Sequence, residues 1–144
     1  MKLEEIHDQW AQDCILPVTM LERSISAVPN LHSKYLRYMT DEKMTLRKLE
    51  EERKTLVRMK YDYYQGILPE EDLKANGWEP FRQKILKSDI GMHIDADDDI
   101  IRTNLKIAMQ QEKVDVLTQI IKHISNRGFL IKSLIDWEKF KVGA

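Results

Sequence analysis

The spacing of apolar residues along this chain is that of helices almost throughout. Leu3, Ile6 and Trp10 recur at three- and four-residue intervals, which predicts a short amphipathic helix ending before Pro17. The same periodicity continues into a second helix, which Pro29 is expected to end or kink because proline cannot donate the helical hydrogen bond. The first part of the chain is therefore predicted to be helical with an interruption at Pro29.

A long third helix and a loop-rich segment are predicted next. The third helix is expected to begin at Asp41, which can cap its first turn, and to run to about Tyr64, because Gly66 supplies a stop signal. Glycine, proline and surplus acid cluster in residues 65–99, so this segment is predicted to be mostly loop. A small β-hairpin near residues 85–94 is compatible with its pattern.

The C-terminal segment has sustained helical periodicity from residue 100 to about Lys141. Asp97, Asp98 and Asp99 precede it, where carboxylates favour a helix N-terminus. The pattern continues through Gly128, although glycine costs a helix interior about 1 kcal/mol relative to alanine. Gly128 therefore indicates either close approach of another backbone or a break in the helix. Because this segment is apolar on nearly all sides, it fits either a central core helix or a subunit interface, and the pattern leaves both open. The residues predicted to mediate self-association are Ile121, Ile124, Gly128, Phe129, Ile131, Leu134, Ile135 and Trp137.

These elements predict a mainly α fold, namely an elongated helical domain with long helices and a loop-rich middle. The order along the chain is a helical region at 1–64, an acidic connector at 65–99 and a C-terminal helical region at 100–144. A chain of 144 residues is long enough to bury a core as one domain.

The formal net charge of −1 by itself argues against a nucleic-acid partner, but the charge is unevenly distributed. Residues 43–60 and 101–144 each carry +4, whereas residues 1–42 carry −3 and residues 61–100 carry −6. The near-neutral total therefore conceals two basic segments, which can bind a partner or pair with the acidic segments.

The first basic segment has its cations at helical spacing. Lys43, Arg47, Lys54 and Arg58 are separated by four, seven and four residues, so they fall within an arc of about 60° on a helix, and Tyr61 lies on the same side. Cations next to aromatic rings hold single-stranded nucleic acid through phosphate contacts and base stacking. A solvated helix with internal ion pairs gives the same pattern, so the spacing alone leaves both interpretations open. The residues predicted to contact nucleic acid are Lys43, Arg47, Lys54, Arg58, Lys60 and Tyr61.

No catalytic or metal-binding motif is recognisable in the sequence. It has no glycine-rich phosphate loop, no HExxH and no cysteine pair, and its four histidines are scattered. We therefore expect no cofactor, no metal and no enzymatic activity. The single Cys14 suits a reducing cytosol, and no apolar run is long enough to span a membrane, so a cytoplasmic protein is expected.

Two stretches resemble a known family. The stretch from Arg58 to Gly66 resembles the basic-x-basic-x-Asp-Tyr-Tyr-x-Gly stretch of the UvsY family, the recombination mediator proteins of T-even-type phages. The stretch from Asn126 to Lys132 resembles the Arg-Gly-Phe-x-Ile-Lys segment near that family's C-terminus. The length, the first four residues and the order of these blocks also agree, whereas residues 66–100 resemble the family poorly.

The resemblance implies a function and a set of partners. It implies a ring-like homo-oligomer of about six or seven subunits that binds single-stranded DNA. Its other partners would be the RecA-like phage recombinase, which it helps to load, and the phage single-strand-binding protein, which the recombinase replaces. The role would lie in phage homologous recombination and in recombination-dependent replication and repair, in the host cytoplasm. The family places DNA-binding cations at Arg58 and Lys60 and self-association in the C-terminal region. The alternative is a helical oligomeric scaffold that binds only protein partners.

Overall fold

The computed structural model describes residues 1–143 and consists of helices and their connections. Two short 3₁₀ turns lie at Val18–Met20 and Lys87–Asp89. No β-strand occurs in the described residues, so the prediction of a mainly α fold is confirmed. The helices are α1 (Leu3–Asp13), α2 (Leu21–Gln65), α3 (Glu70–Asn76), α4 (Ile90–Asp95), α5 (Asp98–Ser125) and α6 (Arg127–Lys141).

The predicted hairpin near residues 85–94 is wrong. Ile90 and Ile94 are buried in one apolar cluster, whereas Met92 is 65% exposed. A strand would place all three side chains on one face because side chains alternate along it, but a helix turns Met92 away from the isoleucines. The burial pattern therefore has the period of α4.

Pro29 does not end its helix, and no new helix begins at Asp41. Both residues lie inside α2, which is continuous from Leu21 to Gln65. Proline removes one helical hydrogen bond, but Pro29 is exposed, and Leu31 and Tyr35 directly after it pack into a core. Packing of this apolar face stabilises the helix across the missing bond.

Helices α5 and α6 begin directly after the polar residues Asp97 and Asn126. Asp97 caps α5, because its Oδ1 accepts hydrogen bonds from the backbone N–H groups of Asp99 at 2.9 Å and Ile100 at 3.2 Å. The helical pattern predicted from residue 100 to about Lys141 is broken at Asn126, between α5 and α6, which bears out the helix break that the sequence left open near Gly128. Gly128 lies inside the first turn of α6, where an added Cβ would meet no atom of the described residues within 4 Å.

The chain divides into two compact units. One comprises Met1–Met44 together with the chain from Gln111 onward, and the other comprises Thr45–Gln110. We call these the terminal unit and the central unit. They cut across the segments 1–64, 65–99 and 100–144, because α2 and α5 each contribute residues to both units.

Each unit has its own apolar core. In the terminal unit, helices α1, α2 and α5 bury Ile6, Tyr35, Leu117, Ile120 and Ile124. In the central unit, α4 and the start of α5 bury Ile90, Ile94 and Ile100 against partly buried Leu56, Val57, Tyr64 and Ile85.

Candidate nucleic-acid interface

In the central unit, α2 presents a row of exposed side chains. Arg47, Lys54, Arg58 and Tyr61 are all exposed, and Tyr61 keeps 41% of its surface accessible. Their spacing along α2 places them on one side of the helix. We call these four residues the cationic row.

One acidic side chain lies beside the cationic row. Lys54 Nζ is 2.9 Å from Glu51 Oε1, and both side chains are 71% exposed. This hydrogen bond raises the pKa of Lys54, which keeps its positive charge. Because exposed pairs of this kind contribute little free energy, a phosphate can compete for Lys54.

Lys43, predicted to lie in the same stripe, is also exposed. It belongs to the terminal unit, since that unit's first segment ends at Met44. The cationic row is therefore restricted to residues of the central unit.

Lys60, expected among the DNA-contacting cations, is instead buried in the central unit and only 3% exposed. Its Nζ lies 3.1 Å from Asp97 Oδ2 and 2.9 Å from Asp99 Oδ2. The same Nζ lies 3.8 Å from the centre of the Trp78 ring, within the range of a cation–π contact. We call Lys60, Trp78, Asp97 and Asp99 the lysine cluster.

Tyr64 connects the lysine cluster to its surroundings. Its hydroxyl donates a 2.6 Å hydrogen bond to Asp97 Oδ2. Burial alone would raise the pKa of the Asp97 carboxyl, but hydrogen bonds from Tyr64 and Lys60 outweigh burial and hold that pKa below its ordinary value of 3.8. Burial, together with the bond to Asp97, raises the pKa of the Tyr64 phenol well above 10.0. At neutral pH the carboxylate is therefore charged and the phenol is neutral.

The remaining aromatic rings near the end of α2 pack against one another. Tyr63 and Tyr64 meet edge to face with ring centres 5.1 Å apart, and both contact Phe81. The Tyr63 hydroxyl donates a 2.7 Å hydrogen bond to the backbone carbonyl of Glu79. Tyr61 is therefore the tyrosine of this segment whose ring is exposed.

The structure separates the residues predicted for self-association into three groups. Ile124 and Ile131 are core residues of the subunit, with 0% and 1% of their surface exposed. Phe129 and Trp137 are 74% and 54% exposed, and Gly128 is also exposed. The other three predicted residues, which are partly buried, are Ile121, Leu134 and Ile135.

Helix α6 carries three exposed aromatic side chains. Phe140 is 73% exposed and stacks on Trp137, with ring centres 5.6 Å apart and ring planes at 20°. By its spacing Phe129 lies on the same side of α6 as Phe140, and the described residues leave all three rings accessible, so we call Phe129, Trp137 and Phe140 the aromatic patch. An exposed aromatic patch is typical of an interaction surface.

Arg127 fixes the start of α6 within the terminal unit. It is 6% exposed and donates 3.0 Å hydrogen bonds to the backbone carbonyls of Asp13 and Ile15. The Asp13 carboxylate in turn accepts bonds from Lys34 at 2.7 Å and Tyr35 at 2.8 Å. The buried guanidinium thus connects α6 to the segment that follows α1.

Sequence reasoning missed the lysine cluster, although one signal was available. Lys60 follows Leu56 by four residues and precedes Tyr63 by three, which is the spacing of the buried side of α2. Asp97, Asp99 and Trp78 come from distant parts of the chain, and no local pattern links them to Lys60.

No helix within residues 1–143 has the length and apolar character that a membrane span requires. The same residues contain no grouping of histidine, cysteine, aspartate and glutamate suited to holding a metal ion.

Comparisons with known proteins agree along almost the whole chain. Residues 9–144 match the family described as "Recombination, repair and ssDNA binding protein UvsY". The recombination protein uvsY of Enterobacteria phage T4 is 24% identical over 143 residues, which cover 99% of each chain.

The fold also matches solved structures. Two crystal forms of the bacteriophage T4 recombination mediator protein UvsY have TM-scores of 0.84 and 0.83, at 21% and 23% identity. The two matches cover 97% and 99% of this chain, and 99% and 98% of the respective T4 chains. This similarity shows that the chains share a fold.

Proposed function

The chain belongs to the UvsY family of recombination, repair and single-stranded-DNA-binding proteins, and we propose that it is a recombination mediator that binds single-stranded DNA as a homo-oligomer. In this role it helps to load a RecA-like phage recombinase in place of the single-strand-binding protein. Catalysis belongs to the recombinase, so the mediator needs no nucleotide site.

The observation that carries this proposal is the cationic row. Arg47, Lys54 and Arg58 present three cations on one exposed side of α2, with the Tyr61 ring beside them. Phosphates neutralised by these cations release counterions, and an exposed ring offers a surface for a base without reading its identity. The row therefore suits single-stranded DNA of any sequence.

Self-association strengthens this weak contact. One row supplies only a few phosphate contacts, but a closed homo-oligomer repeats the row in every subunit. Contacts of one strand with several rows then act together through effective concentration. The exposed aromatic patch of α6 supports such assembly, because burying aromatic surface is a strong source of association energy.

The proposal is tested by titrating labelled oligothymidylate with the protein at several salt concentrations. The variant is Arg58→Ala, and the matched control is Lys48→Ala, since Lys48 is an exposed cation on another side of α2. We expect Arg58→Ala to weaken binding and to reduce the slope of log K against log salt by about 0.7 for each phosphate that Arg58 neutralises. Lys48→Ala should leave the slope unchanged.

A protein-only scaffold is the second candidate, favoured by the pairing of Lys54 with Glu51, which offsets part of the cationic row. A scaffold would retain its assembled mass in light scattering but would not bind the oligonucleotide even at low salt. That outcome, or binding with no salt dependence, would contradict the proposed DNA-binding function.

A further inference from the structure

We infer that Lys60 does not contact the DNA strand but positions Tyr61 for it through the lysine cluster, so that Arg58 is the only phosphate contact of the Arg58–Lys60 pair. The inference rests on the proposed DNA-binding function and changes which residues carry it. It follows from helix geometry, from the saturation of the Lys60 ammonium and from the charges that surround it.

Helix geometry prevents Arg58 and Lys60 from serving one surface together. Residues two apart on an α-helix point in directions about 160° apart. Arg58 is accordingly exposed, whereas Lys60 is 3% exposed. A DNA strand that lies along the cationic row reaches Arg58, whereas Lys60 lies on the far side of α2 from it.

The Lys60 ammonium already has a partner for each of its N–H groups. A lysine ammonium has three donors. The carboxylates of Asp97 and Asp99 take two of them at 3.1 Å and 2.9 Å, and the face of the Trp78 ring lies 3.8 Å away for the third. A phosphate could bind only by displacing one of these partners.

Displacing these partners would also be electrostatically unfavourable. Asp97 and Asp99 would remain as two carboxylates close to the incoming phosphate, and Arg102, which pairs with Asp99 at 2.7 Å, does not replace the ammonium at Asp97. Removing one member of a buried ion pair leaves an uncompensated charge in the interior. The cluster therefore keeps Lys60 inside the protein.

The lysine cluster instead fixes the turn of α2 that carries Tyr61. Lys60 binds Asp97 and Asp99 at the start of α5, and Tyr64 in the same turn donates to Asp97. Tyr61 lies between these two anchored residues and is 41% exposed. Because base stacking depends on ring orientation, loosening the anchors reduces stacking on Tyr61 while leaving the cations of the row in place.

The test is a double-mutant cycle between Lys60→Met and Tyr61→Ala, with oligothymidylate titrated at several salt concentrations and at a temperature where circular dichroism shows every variant folded. We expect Lys60→Met to weaken binding about tenfold, the scale of one base stacked on an aromatic ring, with the wild-type salt slope. In the Lys60→Met background, Tyr61→Ala should weaken DNA binding by a smaller factor than it does in the wild type, because the two changes remove the same interaction. Arg58→Met is the matched change, and it should reduce the slope.

Four results would overturn the inference. A reduced slope in Lys60→Met would make Lys60 a phosphate contact. Wild-type affinity in that variant would leave Lys60 with no positioning role, and additive effects in the cycle would separate it from Tyr61. A wild-type protein that fails to bind the oligonucleotide would overturn the proposed function itself, and the inference with it.

A second variant decides the matter if Lys60→Met does not fold. Asp99 is 34% exposed, so Asp99→Asn removes one carboxylate with less disruption than a change at Lys60. A phosphate-binding Lys60 would be released by this change, and DNA binding would tighten with a steeper salt slope. A positioning Lys60 loses an anchor, and binding weakens with the slope unchanged. Tightened or unchanged binding would overturn the inference.

Discussion

Truncating Phe129 should weaken assembly without weakening the fold of the subunit. This side chain is 74% exposed on α6, so an interface that covers its ring removes about 150 Å² from water. At about 25 cal/mol per Å² this area is worth about 4 kcal/mol per interface, which is several hundredfold to a thousandfold in the dissociation constant. Phe129→Ala should change the free energy of unfolding of the isolated subunit by only about 0.5 kcal/mol, because little of the ring is buried there.

Two assays separate these effects. Light scattering over a dilution series gives the assembled mass, and urea unfolding below the dissociation concentration gives the stability of the subunit. The matched control is Leu86→Ala, which removes an apolar side chain that is 71% exposed in the central unit and should leave both quantities near wild type. Ile124→Ala should affect the fold of the subunit and not its assembly surface. Truncating this fully buried core residue should lower the free energy of unfolding by about 2–5 kcal/mol.

The reasoning would be refuted if Phe129→Ala kept the wild-type mass throughout the dilution series. It would also be refuted if Phe129→Ala destabilised the subunit as much as Ile124→Ala. Either result would mean that the exposed aromatic patch of α6 is not the assembly surface.

Two further predictions follow from the glycine in α6 and from the aspartate of the lysine cluster. Gly128→Ala should leave the free energy of unfolding of the subunit at its wild-type value or raise it by up to about 1 kcal/mol. The reason is that the new Cβ meets no atom of the described residues within 4 Å. If another subunit approaches this glycine, the same change lowers the assembled mass in light scattering, whereas an unchanged mass would exclude a close backbone contact there. Asp97 has a pKa below its ordinary 3.8, so the stability it contributes is complete above about pH 4 and is lost as the pH falls through its lower folded-state pKa. Urea unfolding from pH 6 to pH 2 should therefore show a smaller decrease in the free energy of unfolding for Asp97→Asn than for the wild type. An equal decrease in both proteins would contradict the lysine cluster as the source of this pH dependence.

Much of the helical architecture could be predicted because its causes are local. The three- and four-residue spacing of apolar residues predicts helices, and Asp97 caps α5 through N–H groups only two and three residues away. The failures at Pro29 and near Ile90 share one cause. Packing of an apolar helix face against a core outweighed a local breaker in one case and a weak strand pattern in the other.

The candidate site could be predicted only in part. Spacing placed Arg47, Lys54 and Arg58 on one side of α2, and all three are exposed. Spacing also puts Lys60 on the buried side of α2, but it could not show that this lysine meets buried carboxylates there. The partners that decide its position are Asp97 and Asp99, which lie far along the chain and become neighbours only in the folded protein.

The sequence by itself therefore determined that this chain is helical, where its cations repeat and which family it resembles, since these properties depend on residues within a few helical turns. Only the tertiary structure decided that Lys60 is buried and that the apolar residues of the C-terminal segment are divided between core and surface. Ile124 and Phe129 have similar hydrophobicity, yet one is buried and the other is 74% exposed. The physical reason is that burial depends on contacts between distant segments, and these contacts determine which charges and apolar groups remain available to a partner.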